Sequence, residues 1–241
     1  MIKIANQCHY HKPLARELIE RIQPFQCADD FTLKISDEDI ALCGELQGQQ
    51  ACFQHSLTDP RLLRRAQQKN QALLKACNNK KRNIKNVVDL TAGWGKDSLM
   101  LASHGQRIIM LEQNLLIYQC MHYLLELARY AHPQQCYQQM SIIHDNSLDY
   151  LAGKDKGFAD CLYIDPMFPS HKSSAKPSKD LQILQRLTTN IEIEGLFEQA
   201  LEKAGTRVVV KRPLHAATLS DLKPDITYKE KTIRFDVYLT H

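Results

Sequence analysis

Apolar residues recur at two spacings along the chain and divide it into two parts. Within residues 1–57, Leu14, Leu18, Ile19 and Ile22 follow helical spacing, which predicts a helix over 13–22. Phe31, Leu33 and Ile35 alternate as a strand, 40–43 returns as a second strand, and 51–55 reads as a third. These elements predict a small N-terminal α/β unit that packs on or extends the rest. Thr58 and Asp59 can cap a helix with Pro60 in its first turn. Apolar positions from Leu62 to Cys77 continue that helix as a lead-in, ending in a polar loop by residue 83.

From Ile84 onward the pattern becomes strand, helix, strand, repeatedly. Strands are expected at 87–90, 107–111, 140–144, 160–164 and 207–210. Helices are expected at 98–103, 115–130, 147–151, 179–187 and 194–204. The segments 225–232 and 234–240 read as a closing antiparallel pair. Such alternation implies a mostly parallel sheet with helices on both faces. The division expected is therefore a unit of 1–57 and a main domain of 58–241, whose lead-in is 58–83. At 241 residues the chain is long enough to bury a full core.

Composition changes the picture in only two places. Hydrophobic residues are 44% and charged residues 24%, ordinary for a soluble protein. No secretory signal and no membrane-length apolar run is visible. The eight cysteines form no Cys-x-x-Cys pair, so reduced cytoplasmic thiols are expected, with neither a disulfide framework nor a metal. Cys8, His9 and His11 lack a second ligand cluster and read as a surface turn. Charge is the more informative quantity. Residues 1–57 hold five Lys or Arg against eight Asp or Glu, whereas 58–86 hold nine against Asp59 alone. A basic block without interleaved acids suits a polyanion, nucleic acid first.

The chain is organised around VVDLTAGWGKD, residues 87–97. A short β-branched strand ends in Asp89, turns at Gly93 and Gly95, and passes through Lys96 and Asp97 into a helix. Glycines let a ligand approach the backbone. In parallel sheets ligands bind beyond the carboxyl ends of the strands. Successive strand ends here carry Asp89, Glu112 with Gln113, Asp145 with Asn146 and Ser147, and Asp165. Glu112 follows the glycine turn by about 20 residues, where a carboxylate can accept both hydroxyls of a ribose. Asn146 and Ser147 can reach the adjacent base. Asp145 can cap the helix that starts at Ser147.

A pyrophosphate turn wants a third glycine, but here Asp97 follows instead. Asp97 repels phosphate and suits an ammonium, which favours S-adenosyl-methionine over a nicotinamide dinucleotide. The discriminating motif is DPMFP, residues 165–169. An exocyclic nucleobase amine is a poor nucleophile because its lone pair spreads into the ring. Asp165 and the carbonyl of Pro166 can accept its hydrogens, and Phe168 can stack on the base. Lys172 and Lys176, Lys211 and Arg212, and Arg61, Arg64 and Arg65 are candidate phosphate contacts.

DLTAGWGKD, LEQN, DPMFP and VVVKRP, in this order and with the closing RFDVYLTH, resemble the RsmJ family over residues 86–241. These are bacterial small-subunit (16S) ribosomal RNA guanine-N2 methyltransferases. The resemblance implies a Rossmann-like class I methyltransferase fold and S-adenosyl-methionine as cofactor. It implies that Lys96, Asp97, Glu112, Gln113, Asn146, Ser147 and Asp165 line the cofactor site. The expected partner is ribosomal RNA or the small ribosomal subunit, with no membrane and no metal. The rival readings are an adenine-N6 or protein-glutamine methyltransferase, which use similar loops, and a non-catalytic RNA-binding protein.

Overall fold

In the computed structural model, the described residues are 2–23, 31–46, 48–69, 71–78, 84–133, 136–166, 182 and 194–240. The N-terminal part carries β1 (Lys3–Asn6), α1 (Lys12–Ile22), β2 (Phe31–Ile35), β3 (Ile40–Leu46) and β4 (Gln49–His55). These strands form one sheet in chain order, with β1 parallel to β2 and the rest antiparallel. The alternation read from Phe31, Leu33 and Ile35 holds, since all three are buried. The strand β1 is an addition: in KIAN only Ile4 and Ala5 are apolar, too few to register as a pattern.

Two N-terminal expectations are corrected. Cys43 and Cys52 are direct cross-strand partners on β3 and β4 and form a disulfide, so the thiols are not all reduced. Hairpin register made them neighbours, and register is invisible in the spacing of cysteines. Cys8 is not on a surface turn. It is buried, its Sγ 3.0 Å from the hydroxyl of Tyr123, while Asp37 accepts the backbone N–H groups of His9, Tyr10 and His11.

The expected single lead-in helix is two short ones, α2 (Pro60–Ala66) and α3 (Ala72–Ala76). Asp59 caps α2 by accepting the N–H of Arg61 at 2.7 Å. The break falls at polar residues, Gln67, Gln68, Lys69 and Gln71, which offer no apolar face to bury.

The main domain then runs β5 (Asn86–Asp89), α4 (Lys96–Ala102), β6 (Arg107–Glu112), α5 (Leu115–Ala131) and β7 (Met140–His144). It continues α6 (Ser147–Ala152), β8 (Ala159–Ile164), α7 (Leu196–Lys203), β9 (Ala204–Pro213), β10 (Ile226–Lys229) and β11 (Ile233–Leu239). The sheet order is β10-β11-β9-β8-β5-β6-β7. Strands β7, β6, β5, β8 and β9 are mutually parallel, and β11 runs against β9 and β10. This is the α/β arrangement the sequence pattern implied, with its antiparallel closing pair. The helix expected at 179–187 lies outside the described residues.

The order reverses between β5 and β8, which opens a crevice at their carboxyl ends. The two parts of the chain share one continuous core, from Phe31, Leu33 and Leu42 to Tyr123 and Leu124 of α5. Tyr123 donates to the Ser36 carbonyl at 2.7 Å and Tyr137 to the Leu57 carbonyl at 3.0 Å. Among the described residues no helix is long and apolar enough to cross a membrane. No group of three or more His, Cys, Asp or Glu that could hold a metal occurs among them.

Candidate active site

The crevice beside the glycine turn contains a cavity of about 370 Å³, within the usual range of small-molecule sites, roughly 300–1,000 Å³. Asp89, Gly93, Lys96 and Asp97 line it from β5, the turn and α4, and Asp165 and Lys211 line it from β8 and β9. Thr91 borders both this cavity and a small recess lined by Glu112, Gln113, Asn146 and Ser147. The expected cofactor residues therefore gather at one edge of the sheet, in two adjoining compartments. Gly95 differs from the rest. It caps α4 at φ +64° and faces inward, where an added Cβ would lie 2.7 Å from Met121 Cε. Gly93, at φ +50°, faces open space instead and leaves the turn bare to the cavity.

Side-chain bonds fix these strand ends against each other. Asp89 accepts the Ser98 hydroxyl at 2.6 Å and the Thr91 N–H at 3.1 Å. Thr91 Oγ1 in turn accepts the Asp165 N–H at 2.6 Å. Asn146, rather than Asp145, caps α6: its Oδ1 accepts the Leu148 N–H at 2.8 Å. Its Nδ2 donates to Gln113 Oε1 at 3.0 Å, and Ser147 donates to the Leu90 carbonyl at 2.5 Å. Glu112 is 7% exposed and accepts the Asn114 N–H at 2.7 Å. Burial pushes its carboxyl up to about 7, against the opposing pull of the Asn114, Gly93 and Gln113 N–H groups. Asp89 is also pushed to about 7 by burial, with the charges of Asp97 and Asp165 adding to the effect.

Lys211 is placed otherwise than expected. Its Nζ lies 2.8 Å from Asp97 and 2.8 Å from Asp165, joining the two carboxylates across the cavity. Burial lowers the ammonium's pKa, but the two carboxylates outweigh burial and hold it above its ordinary value. For Asp165 burial dominates and raises the carboxyl, with Lys211 opposing. Tyr163, buried in β8, donates to the same Asp97 oxygen at 2.7 Å. Sequence reasoning missed both partners. Lys211 lies near the end of β9, next to β8, which Asp165 directly follows, a juxtaposition available only once strand order is known.

Arg212 is corrected as a phosphate contact: it is 7% exposed, and its Nε donates to the Ala217 carbonyl at 2.9 Å. Alternation along β9 turns its side chain away from Lys211 and into the protein. Arg61, Arg64 and Arg65 are exposed on α2, and Arg65 borders the cavity. Phe168, Lys172 and Lys176 lie outside the described residues.

The N-terminal sheet also reaches the turn, which the sequence did not suggest. Trp94 sits between the two glycines with its ring 4.7 Å from Phe53, and its carbonyl lies 2.9 Å from His55 Nε2.

Residues 18–240 match the family described as "Putative SAM-dependent methyltransferase". A ribosomal RNA small subunit methyltransferase J from Legionella pneumophila is 36% identical over 178 residues, 73% of this chain and 71% of that protein. The chain belongs to the RsmJ family. The namesake from Francisella tularensis subsp. novicida is 35% identical over 156 residues, 63% of this chain and 64% of that relative's own length. A SAM-dependent methyltransferase from Neisseria gonorrhoeae shares the fold at TM-score 0.71, with 23% identity, covering all of this chain and 96% of that one. In this RsmJ-family chain the strand ends that carry DLTAGWGKD, LEQN and DPMFP are the ones that border the cavity and its recess.

Proposed function

We propose that this protein transfers a methyl group from S-adenosyl-methionine to the exocyclic N2 amine of a guanine in small-subunit ribosomal RNA, in the cytoplasm. The chemistry of the donor set fits the cofactor. Glu112 is an acceptor for ribose hydroxyls, Asp97 is a carboxylate for an ammonium, and Gly93 leaves the turn bare of a side chain. Gln113, Asn146 and Ser147 offer polar groups for the adenine, beside Leu90, Leu111 and Leu148. The bound cofactor supplies an electrophilic methyl group.

The remaining work falls to the chain. Asp165 accepts a hydrogen bond from the target amine and directs its lone pair toward the methyl donor. The N–C bond that forms would replace the donor's S–C bond, S-adenosyl-homocysteine would leave, and the amine's surplus proton would pass to water. The Pro166 carbonyl is the second acceptor, and Phe168, three positions after Asp165, stacks on the base. Because the reaction is at a base edge, the nucleotide must leave its stack to enter the cleft. Arg61, Arg64 and Arg65 hold phosphates at the rim.

One observation carries this reading: Asp165 borders a cavity whose rim is an arginine-bearing helix. The relatives' printed name supports ribosomal RNA over a protein substrate. The test is to incubate the protein with labelled cofactor and small-subunit RNA from cells lacking it, then digest the RNA to nucleosides. Label in N2-methylguanosine is expected. Label in N6-methyladenosine, or in no nucleoside, overturns the proposal.

A further inference from the structure

A second cavity, about 530 Å³, lies at the opposite end of the sheet from the strand ends just described. Its position follows from the elements that line it. Gln106 immediately precedes β6 and Arg207 lies early in β9, whereas Glu112 and Lys211 lie toward the far ends of the same strands. Among the described residues, none that lines it is acidic. Lys69 and Lys75 are exposed at its edge, and His104 and Arg207 complete the basic side.

Arg207 is the telling group. It is 2% exposed, and one guanidinium nitrogen donates to the carbonyls of Ala76 at 2.7 Å and Asn78 at 3.0 Å. Among the described residues its Nε has no hydrogen-bond partner and no carboxylate pairs with it. A buried cation without a counter-ion is costly, and an anion brought to the cavity offsets that cost. The nearby Glu230 is already engaged, accepting the Ala72 N–H at 3.2 Å.

The opposite wall of the cavity is apolar. Leu74, Ile226, Tyr228 and Leu239 line it, and Ile226 and Leu239 are each 37% exposed. Cations facing an aromatic and an aliphatic surface make a site for a nucleotide: phosphate on one side, base on the other. The cavity is also continuous with the basic segment. Arg65 on α2 borders the first cavity, Lys69 follows α2, and Lys75 lies in the last turn of α3. One stretch of chain thus carries positive charge from the cleft to the far end of the sheet.

We infer that this cavity is a second RNA site, holding a phosphate and stacked base of the same single-stranded RNA whose target guanine enters the cleft. The inference rests on the proposed RNA substrate. It assigns Lys69 and Lys75 to phosphate and Tyr228 to stacking.

The experiment compares the full-length parent with Lys69→Ala/Lys75→Ala and with Tyr228→Leu. A short fluorescein-labelled single-stranded RNA is titrated by anisotropy over a range of salt, and S-adenosyl-methionine affinity is measured by calorimetry on the same preparations. The double variant should lose affinity on the order of tenfold at low salt. Its slope of log affinity against log salt should be shallower by about 1.4, two single-strand phosphate contacts. Tyr228→Leu should lose affinity roughly tenfold with its salt slope kept. Cofactor affinity should be that of the parent in both. Parent-like RNA affinity and slope in the double variant overturn the second site, whether or not the parent methylates RNA. A parent that binds RNA through this cavity but takes up no cofactor overturns the proposed methyl transfer instead and leaves the cavity assigned.

Discussion

His55, the last residue of β4, donates its Nε2 proton to the carbonyl of Trp94 across 2.9 Å, from the N-terminal sheet to the glycine turn. A carbonyl only accepts, so the proton is on Nε2. Burial drives the imidazole's pKa down to about 4, and the charge of Lys96 adds to this, so the ring is neutral at pH 7. Phe53 and Trp94 pack beside it. This bond and the ring packing tie the N-terminal sheet to the turn that borders the main cavity.

Replacing His55 should therefore be felt at the cofactor. His55→Leu removes the donor and leaves the Trp94 carbonyl buried without it, a loss of about 1–3 kcal/mol in stability. Cofactor affinity should fall roughly tenfold as the turn loosens, while kcat at saturating cofactor changes little. His55→Gln can place an amide N–H near the Nε2 position and should restore most of the affinity. The folded-state pKa lies below the ordinary value, so this group's stability contribution is present above about pH 6.5. It is lost as pH falls through about 4, and His55→Gln should flatten that portion of a stability-versus-pH curve. A His55→Leu protein with parental cofactor affinity would detach the sheet from the site.

Lys211 bridges two carboxylates at once, and its removal leaves them facing each other without a cation. In Lys211→Met the first carboxyl to take up a proton should do so at higher pH than in the parent. The acidic limb of the pH–rate profile should shift upward accordingly. Stability should drop by on the order of 2 kcal/mol, moderated because all three side chains are partly exposed. Lys211→Arg keeps the charge and should return the limb toward its parental position. An unmoved limb in Lys211→Met would mean that the ion pairs do not bear on Asp165.

Glu112 should make cofactor binding pH-dependent. A carboxylate accepting two ribose hydroxyls must be ionised, yet burial holds the free group near 7. Affinity should therefore climb as pH rises toward 7 and level off above it. Glu112→Gln should abolish the climb and weaken binding by about 1.5–3 kcal/mol per charge-assisted bond lost. Stability runs the other way. The folded protein holds this proton more tightly than the unfolded chain, so the contribution is complete below about 4.5 and fades as pH rises through about 7. Calorimetry across pH, with thermal melts on the same samples, reads both signs.

What the sequence made legible follows physical locality. The strand ending at Ile164 stands out because a parallel strand buried on both faces is almost continuously apolar, and only Asp160 interrupts it. Asp89, Glu112 and Asp165 stand out because a polar residue after such a run has to face a crevice. Lys211 was misjudged because, in sequence, a lysine after VVV is only a charge. Its two partners lie 46 and 114 residues away in sequence, and only strand order brings them within 2.8 Å. His55 and Trp94 were silent for the same reason: one ends an N-terminal strand, the other lies in the glycine turn 39 residues on, and nothing local links them. The Cys43–Cys52 pair depended on hairpin register, which a one-residue slip would undo.

Asp165 gives the sharpest test of the chemistry. If it accepts a hydrogen from the target amine, Asp165→Ala should slow methyl transfer by about 10²–10³, the usual cost of one oriented partner in the transition state. RNA affinity should change far less, since phosphate contacts carry most of it. Asp165→Ala also releases Lys211 from one of its two bonds, so a slow variant alone could reflect a displaced lysine. Asp165→Asn separates these effects. The amide keeps a carbonyl acceptor for the amine but cannot form an ion pair with Lys211. If orientation of the amine is what matters, Asn should retain a substantial part of the rate. If Asp165 serves chiefly to fix Lys211, Asn should be as slow as Ala, and Lys211→Met should be as slow as both. Single-turnover rates at saturating cofactor and RNA distinguish these outcomes. An Asp165→Ala protein that methylates at the parental rate would leave Asp165 as no more than the end of β8.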